Sequence, residues 1–168
     1  HNNIAFGTLT ADALTTGTHN IAMGLCAYGV AEAGGDNIAI GRLSMARCLV
    51  TGTCNIALGV DAMACVVAGY YNIAMGHKAM LKANGALHDN IALGTMAMCA
   101  ITTGDYNIAI GLNAGIAVTT QDNVVNIGQG VNGSTAATTC IGGGCVMATS
   151  FTATSDCRSK CKIKDLPY

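Results

Sequence analysis

Tryptophan is absent from this chain, proline occurs once, at Pro167, and only 10% of the residues are charged. Each shortage excludes something. A formal net charge of −1, with no basic patch interleaved with aromatics, speaks against a nucleic-acid partner. No apolar run is continuous enough for a membrane helix, because the longest uncharged stretch, 123–155, is broken by Gly, Thr and Asn, so no membrane insertion is expected. The opening His1-Asn2-Asn3-Ile4 reads as repeat, not as a leader. Aromatics at 4% cannot fill a broad core. What fills the chain is Ala, Ile, Val and Met, within an apolar content of 51%, interspersed with 22 glycines. That composition suits a long, thin core, and a surface so poor in charge is expected to be covered in part by another subunit.

Five residues, Asn-Ile-Ala-apolar-Gly, organise the rest. They begin at Asn3, Asn20, Asn37, Asn55, Asn72, Asn90 and Asn107 and end at Gly7, Gly24, Gly41, Gly59, Gly76, Gly94 and Gly111, with spacings of 17 or 18. Self-similarity at a fixed short period is the mark of a solenoid. The period is too short for two helices and a turn, and Ile4 and Phe6 alternate with Asn3, Ala5 and Gly7 as in a strand with one buried face. The expectation is all-β: a parallel β-roll of 17–18-residue coils, stacked about 4.8 Å apart, with the Ile face inward. The motif Asn is expected to stack into a structural amide ladder at a corner of the coil. The small residue three places after each Gly, such as Ala62 or Ala79, followed by Met63 or Met80, reads as a second strand or its entry. The extra residue of the coils starting at Asn37 and Asn72 is expected in a turn, since a strand insertion would flip one face to the other.

The repeats occupy 1–122. A shorter-period segment follows over 123–155, where Asn126-Ile127-Gly128 and Cys140-Ile141-Gly142 echo each other and Thr- and Ala-rich stretches suggest edge strands or intertwined chain. A third material begins at Asp156: residues 156–168 hold Asp156, Arg158, Lys160, Lys162, Lys164, Asp165 and the single proline. The nine cysteines fall in mixed phases of the repeat. Only Cys48 and Cys65 share a distance to the next motif Asn, and the spacings match no metal knuckle, so free, buried cysteines made in a reducing cytoplasm are expected, with no metal and no cofactor.

The repeat, with its Thr-Gly turn before the next Asn, resembles the head repeats of trimeric autotransporter adhesins and the related repeats of bacteriophage tail fibres. That likeness implies an intertwined homotrimer. The stretch Thr154-Ser155-Asp156-Cys157-Arg158-Ser159-Lys160 resembles the entry to the intramolecular chaperone domain of endosialidase-type phage fibres, with Ser159 in place of the usual leucine. The resemblance implies a single-turnover self-cleavage between Ser155 and Asp156, with Ser155 as nucleophile and Lys160 as its base; a serine hydroxyl is weak until such a base takes its proton. Without that resemblance, a serine and a lysine five apart read as part of a solvated charged tail.

The function these readings point to is the structural and receptor-binding part of a phage tail fibre, not an enzyme, within the virion. Its expected partners are two further copies, other tail or fibre proteins, and a host-surface polysaccharide or protein. Tyr70, Tyr71, His88 and Tyr106, in the turns, are the candidate receptor contacts. A trimeric adhesin of the bacterial cell surface is the alternative. A hexapeptide-repeat acyltransferase needs apolar residues every six positions, whereas six and twelve after Ile4 stand Thr10 and Thr16, and none of His19, His77 or His88 has a catalytic setting. An ice-binding face needs a Thr pair on every coil, and Thr16-x-Thr18 and Thr51-x-Thr53 are interrupted by Ala68 and Tyr70 or Ala86 and His88.

Overall fold

The computed structural model describes residues 2–142 and 144–146. Each Asn-Ile-Ala-x-Gly motif forms one three-residue strand: β1 (Ile4–Phe6), β2 (Ile21–Met23), β3 (Ile38–Ile40), β4 (Ile56–Leu58), β5 (Ile73–Met75), β6 (Ile91–Leu93) and β7 (Ile108–Ile110). Then come β8 (Val125–Ile127), β9 (Thr139–Ile141) and β10 (Gly144–Val146). The strands pair in chain order, parallel from β1 through β9, with Ile over Ile and Ala over Ala; β10 folds back antiparallel on β9. The result is a β-solenoid rising about 4.8 Å per coil, so that nine parallel strands span about 38 Å.

The coil is inverted relative to the sequence expectation. The motif Ala is inside: Ala39, Ala57, Ala74, Ala92 and Ala109 are fully buried. The motif Ile and the fourth residue point outward, to the extent that Ile4 is 57% exposed, Phe6 71% and Met75 43%. The reason is the cross-section. A single turn of 17 residues encloses a lumen that must also hold the small residue after the turn (Ala62, Ala79, Ala97), the residue next to it (Tyr28, Met45, Met63, Met80, Met98) and a third apolar group such as Val66, Ile101 or Val118. With unbranched Met filling the middle, only a methyl fits on the strand side. The expected second strand is also missing from the described residues; the small residue and the Met or Tyr beside it lie in turns, and Val66, Ile101 and Val118 in irregular chain.

The motif Asn occupies the remaining interior corner, and its amide is fully used. Asn72 is buried; its Nδ2 donates to Asn55 Oδ1 at 3.0 Å and to Leu87 O, the far end of its own coil, at 2.9 Å. Its Oδ1 accepts from the backbone N and the Nδ2 of Asn90, at 3.1 and 3.0 Å. The amide therefore closes one coil and ties it to both neighbours. The pattern runs from Asn3 to Asn107, and ends where Val124 presents only its backbone N to Asn107 Oδ1. Tyr28 joins the ladder: it accepts from Asn37 Nδ2 at 2.9 Å and donates to Ala33 O at 3.1 Å. Burial pushes its phenol up to about 12, a shift that the Asn37 bond moderates.

Backbone geometry is as regular as the side chains. The motif glycines sit near φ +130°, and a Cβ on Gly59 would lie 2.7 Å from Gly76 O and 2.8 Å from Gly76 C. No side chain can occupy that column. Three further columns adopt left-handed φ without glycine, as in Asp61 (55°), Met63 (45°) and Tyr71 (59°) of one coil. Their N–H groups point along the rod and bond the coil above or below: Asp61 N to Arg42 O, Met63 N to Ala79 O, Tyr71 N to Thr53 O. The two 18-residue coils keep β3–β4 and β5–β6 in register, so their extra residues fall between strands, where Val50 and Leu87 turn inside.

Cys48 and Cys65 correct a second expectation. The connections bring their Cα atoms to 4.7 Å on adjacent coils, the stacking distance of the rod, and the two are joined as a disulfide. Cys140 is disulfide-bonded as well, whereas Cys26, Cys54 and Cys99 are free thiols. The shorter-period segment opens with β8 on a coil of 14 residues, in which Asn126 replaces the buried motif Ala and holds Gly133 by two bonds, N to Oδ1 at 2.6 Å and Nδ2 to O at 3.1 Å. Beside the disulfide, Arg47 reaches Asp61, Nη2 to Oδ1 at 2.6 Å, and neutralises a carboxylate whose side chain is only 8% exposed.

Candidate functional site

Three of the chain's seven Tyr and Phe residues stand at the corner just before a motif Asn. Two residue columns run there along the rod. One is Thr18, Gly35, Thr53, Tyr70 and His88, joined coil to coil by parallel bridges. The other holds the left-handed residues His19, Asp36, Cys54, Tyr71, Asp89, Tyr106 and Asn123. Local sequence explains the geometry: the buried Asn ladder pins the residue that follows, so the preceding pair must turn outward, and the left-handed residue supplies the bend.

Within these columns the sequence-selected residues come together. Tyr70 and His88 stack ring on ring, centroids 5.2 Å apart and 18° from parallel. Tyr71 and Tyr106 are 61% and 58% exposed, on alternate coils of one column, with exposed Asp89 between them. The side chains of Tyr71, Asp89 and Tyr106 make no hydrogen bond or ion pair among the described residues. Asp105 and Asp122 continue the first column; the Asp105 carboxylate accepts from His88 N at 2.7 Å and Asp122 from Asp105 N at 2.8 Å. This fixes the backbone of the corner. The ridge therefore offers aromatic surface, phenol hydroxyls and carboxylates, and no lysine or arginine. Sequence reasoning found the four aromatic members but missed Asp89 and Asp105, whose position before the motif Asn was the available signal.

The other sequence candidates divide. The motif Asn and Gly residues form the two structural columns described above. Ser155, Asp156 and Lys160 lie outside the described residues. His77 and His88 share the coil starting at Asn72, whereas His19 closes the first coil, and the His88 ring stacks on Tyr70. Among the described residues no group of three or more His, Cys, Asp or Glu side chains could hold a metal ion. No described helix is long and apolar enough to cross a membrane. Comparison with protein-family models, with curated proteins and with solved structures returns no match to this chain.

Proposed function

We propose that this chain is the structural and receptor-binding part of a phage tail fibre, a rigid rod assembled as a homotrimer through its sheet face, with the turns displayed for attachment to a host surface. One observation carries the reading: the outward strip of Ile and fourth-position residues. From Ile4 and Phe6 through Ile38 and Ile40, Ile56 and Leu58, to Ile108 and Ile110, every residue on it is apolar. Leu9, Leu25, Met96 and Leu112 flank it, 39–57% exposed. An uncharged strip about 29 Å long far exceeds the scattered apolar exposure of a soluble monomer. A strip on one side of a straight rod is buried best by identical rods packed around a common axis, and the number three rests on the likeness of the repeat to trimeric fibre and adhesin heads.

The test is the solution mass by light scattering, together with gels of unboiled and boiled samples in SDS. A trimer that survives SDS unboiled is expected, and a stable monomer overturns the reading. Leu58→Lys places a charge in the middle of the strip while sparing the interior. Its circular dichroism is expected to match the parent while its mass falls to that of one chain.

A further inference from the structure

We infer that Tyr71, Asp89 and Tyr106, backed by the stacked Tyr70 and His88, form a binding site for an extended, uncharged oligosaccharide lying along the rod. The inference deepens the receptor-binding part of the proposed function and rests on it for biological meaning, though the binding chemistry stands on the ridge itself.

Three observations carry it. First, placement: of the five tyrosines in the chain, three lie on this one corner within three successive coils. None of the three supports the core, which is served by Tyr28. Second, spacing: Tyr71 and Tyr106 share a register position two coils apart, so their attachment points are separated by about 9–10 Å. That is about the length of a disaccharide unit, and alternate sugars of an extended chain meet the two rings, whose apolar bodies and polar tips match the apolar faces and hydroxyl rims of pyranoses. Third, charge: Asp89 sits between them, exposed and unpaired among the described residues, with Asp105 and Asp122 next along the edge. A carboxylate accepts hydroxyl hydrogen bonds strongly. The same three carboxylates, with no lysine or arginine in either column, repel an acidic glycan. The rod is stiff along this line, because each ridge residue is tied to the next coil through its backbone, Asp89 N to Tyr70 O at 3.1 Å and Tyr106 N to His88 O at 3.1 Å. Little backbone ordering is left to be done on binding.

The experiment is a titration of the full chain with neutral hexose and N-acetylhexosamine oligomers and with uronic-acid oligomers of the same length, followed by calorimetry and by NMR of the ring protons. Binding of at least one neutral series, with the acidic series at least about tenfold weaker, is expected. Tyr71→Asn and Tyr106→Asn suit the left-handed backbone, as Asn123 does at the same register position. Each is expected to weaken binding about tenfold, with circular dichroism unchanged. Asp89→Asn is expected to narrow the gap between neutral and acidic oligomers. Absence of neutral-glycan binding, equal binding of both series, or binding indifferent to both tyrosine replacements overturns the inference. The mass measurement is independent: a monomer that binds glycan sinks the fibre assembly alone, and a trimer that ignores every glycan sinks this site alone.

Discussion

Replacing Asn72 by alanine removes one rung of the amide ladder, and the structure fixes what is left behind. Leu87 O keeps its bond from Tyr70 N, at 3.0 Å, and Asn55 Oδ1 keeps the bond from the backbone N of residue 72, at 3.1 Å. Asn90 Nδ2 keeps Gly104 O, at 2.9 Å. The group with nothing left is the backbone N–H of Asn90, which is wholly buried. An orphaned buried N–H costs about 1–3 kcal/mol, and each of the other lost bonds adds roughly 0.5–1.5 kcal/mol. The sum at mid-range is about 5 kcal/mol, or a fall in melting temperature of about 10–20 °C for a chain of this size. Asn3→Ala removes the same chemistry from an exposed residue at the first coil, where water replaces the lost partner, so it is expected to cost less than about 1 kcal/mol. Thermal unfolding followed by circular dichroism compares the two. Amide exchange at Asn90 gives the local reading: it should accelerate strongly in Asn72→Ala, while amides of β1 remain unchanged. If the two variants melt within 1 °C of each other, the ladder is not a principal support of the coil.

Gly59→Ala combines a Cβ 2.7 Å from Gly76 O with a φ of 134°, and it should cost more than about 3 kcal/mol, seen as loss of soluble protein or a lower denaturant midpoint. Tyr28, with its phenol raised to about 12 from 10.0, is protonated in the folded chain after it has ionised in the unfolded one. Stability should therefore be intact below pH 10 and decline by roughly 2–3 kcal/mol by pH 12, and Tyr28→Phe should be less stable at pH 7 yet lose less across that window in urea titrations. Reduction of the Cys48–Cys65 bridge, or Cys48→Ser, opens a loop of 17 residues and is expected to cost up to about 3 kcal/mol, read as a fall in melting temperature in reductant that is smaller in the Cys48→Ser variant, where only the Cys140 bridge remains to be reduced.

The period, the strands and their register were legible because Asn, Ala and Gly recur at fixed places, and a stacked coil admits no slip. Which face is inside was not. Ile and Phe look like core by hydropathy, and for a monomer that reasoning is sound, but the lumen of a 17-residue coil has room for Ala57 beside Met63 and none for Ile56. The buried Asn was visible as a repeat, and its interior place follows from having two donors and one acceptor to satisfy on three coils. Cys48 and Cys65 share a phase with respect to the next Asn, yet one belongs to an 18-residue coil and the other to a 17-residue coil, and only the folded connection brings their Cα atoms to 4.7 Å. The aromatic corner was legible as four residues; its carboxylates were not, because an Asp beside a Gly or Asn is ordinary in a turn, and Asp105 does fix the corner through His88 N.

The left-handed columns have a bearing on how such a rod can change over time. Among the described residues, none of the non-glycine residues at positive φ is Val, Ile or Thr, although the chain is rich in all three, because a branched Cβ collides with its own backbone there. Several chemistries are admitted: His19, Asp36, Cys54, Tyr71, Asp89, Tyr106 and Asn123 succeed one another on a single edge with nearly the same φ. Chemical identity on that edge is thus uncoupled from architecture. A lineage carrying this repeat can rewrite the edge one coil at a time, through acid, amide, imidazole or phenol, while the scaffold beneath stays neutral to the exchange.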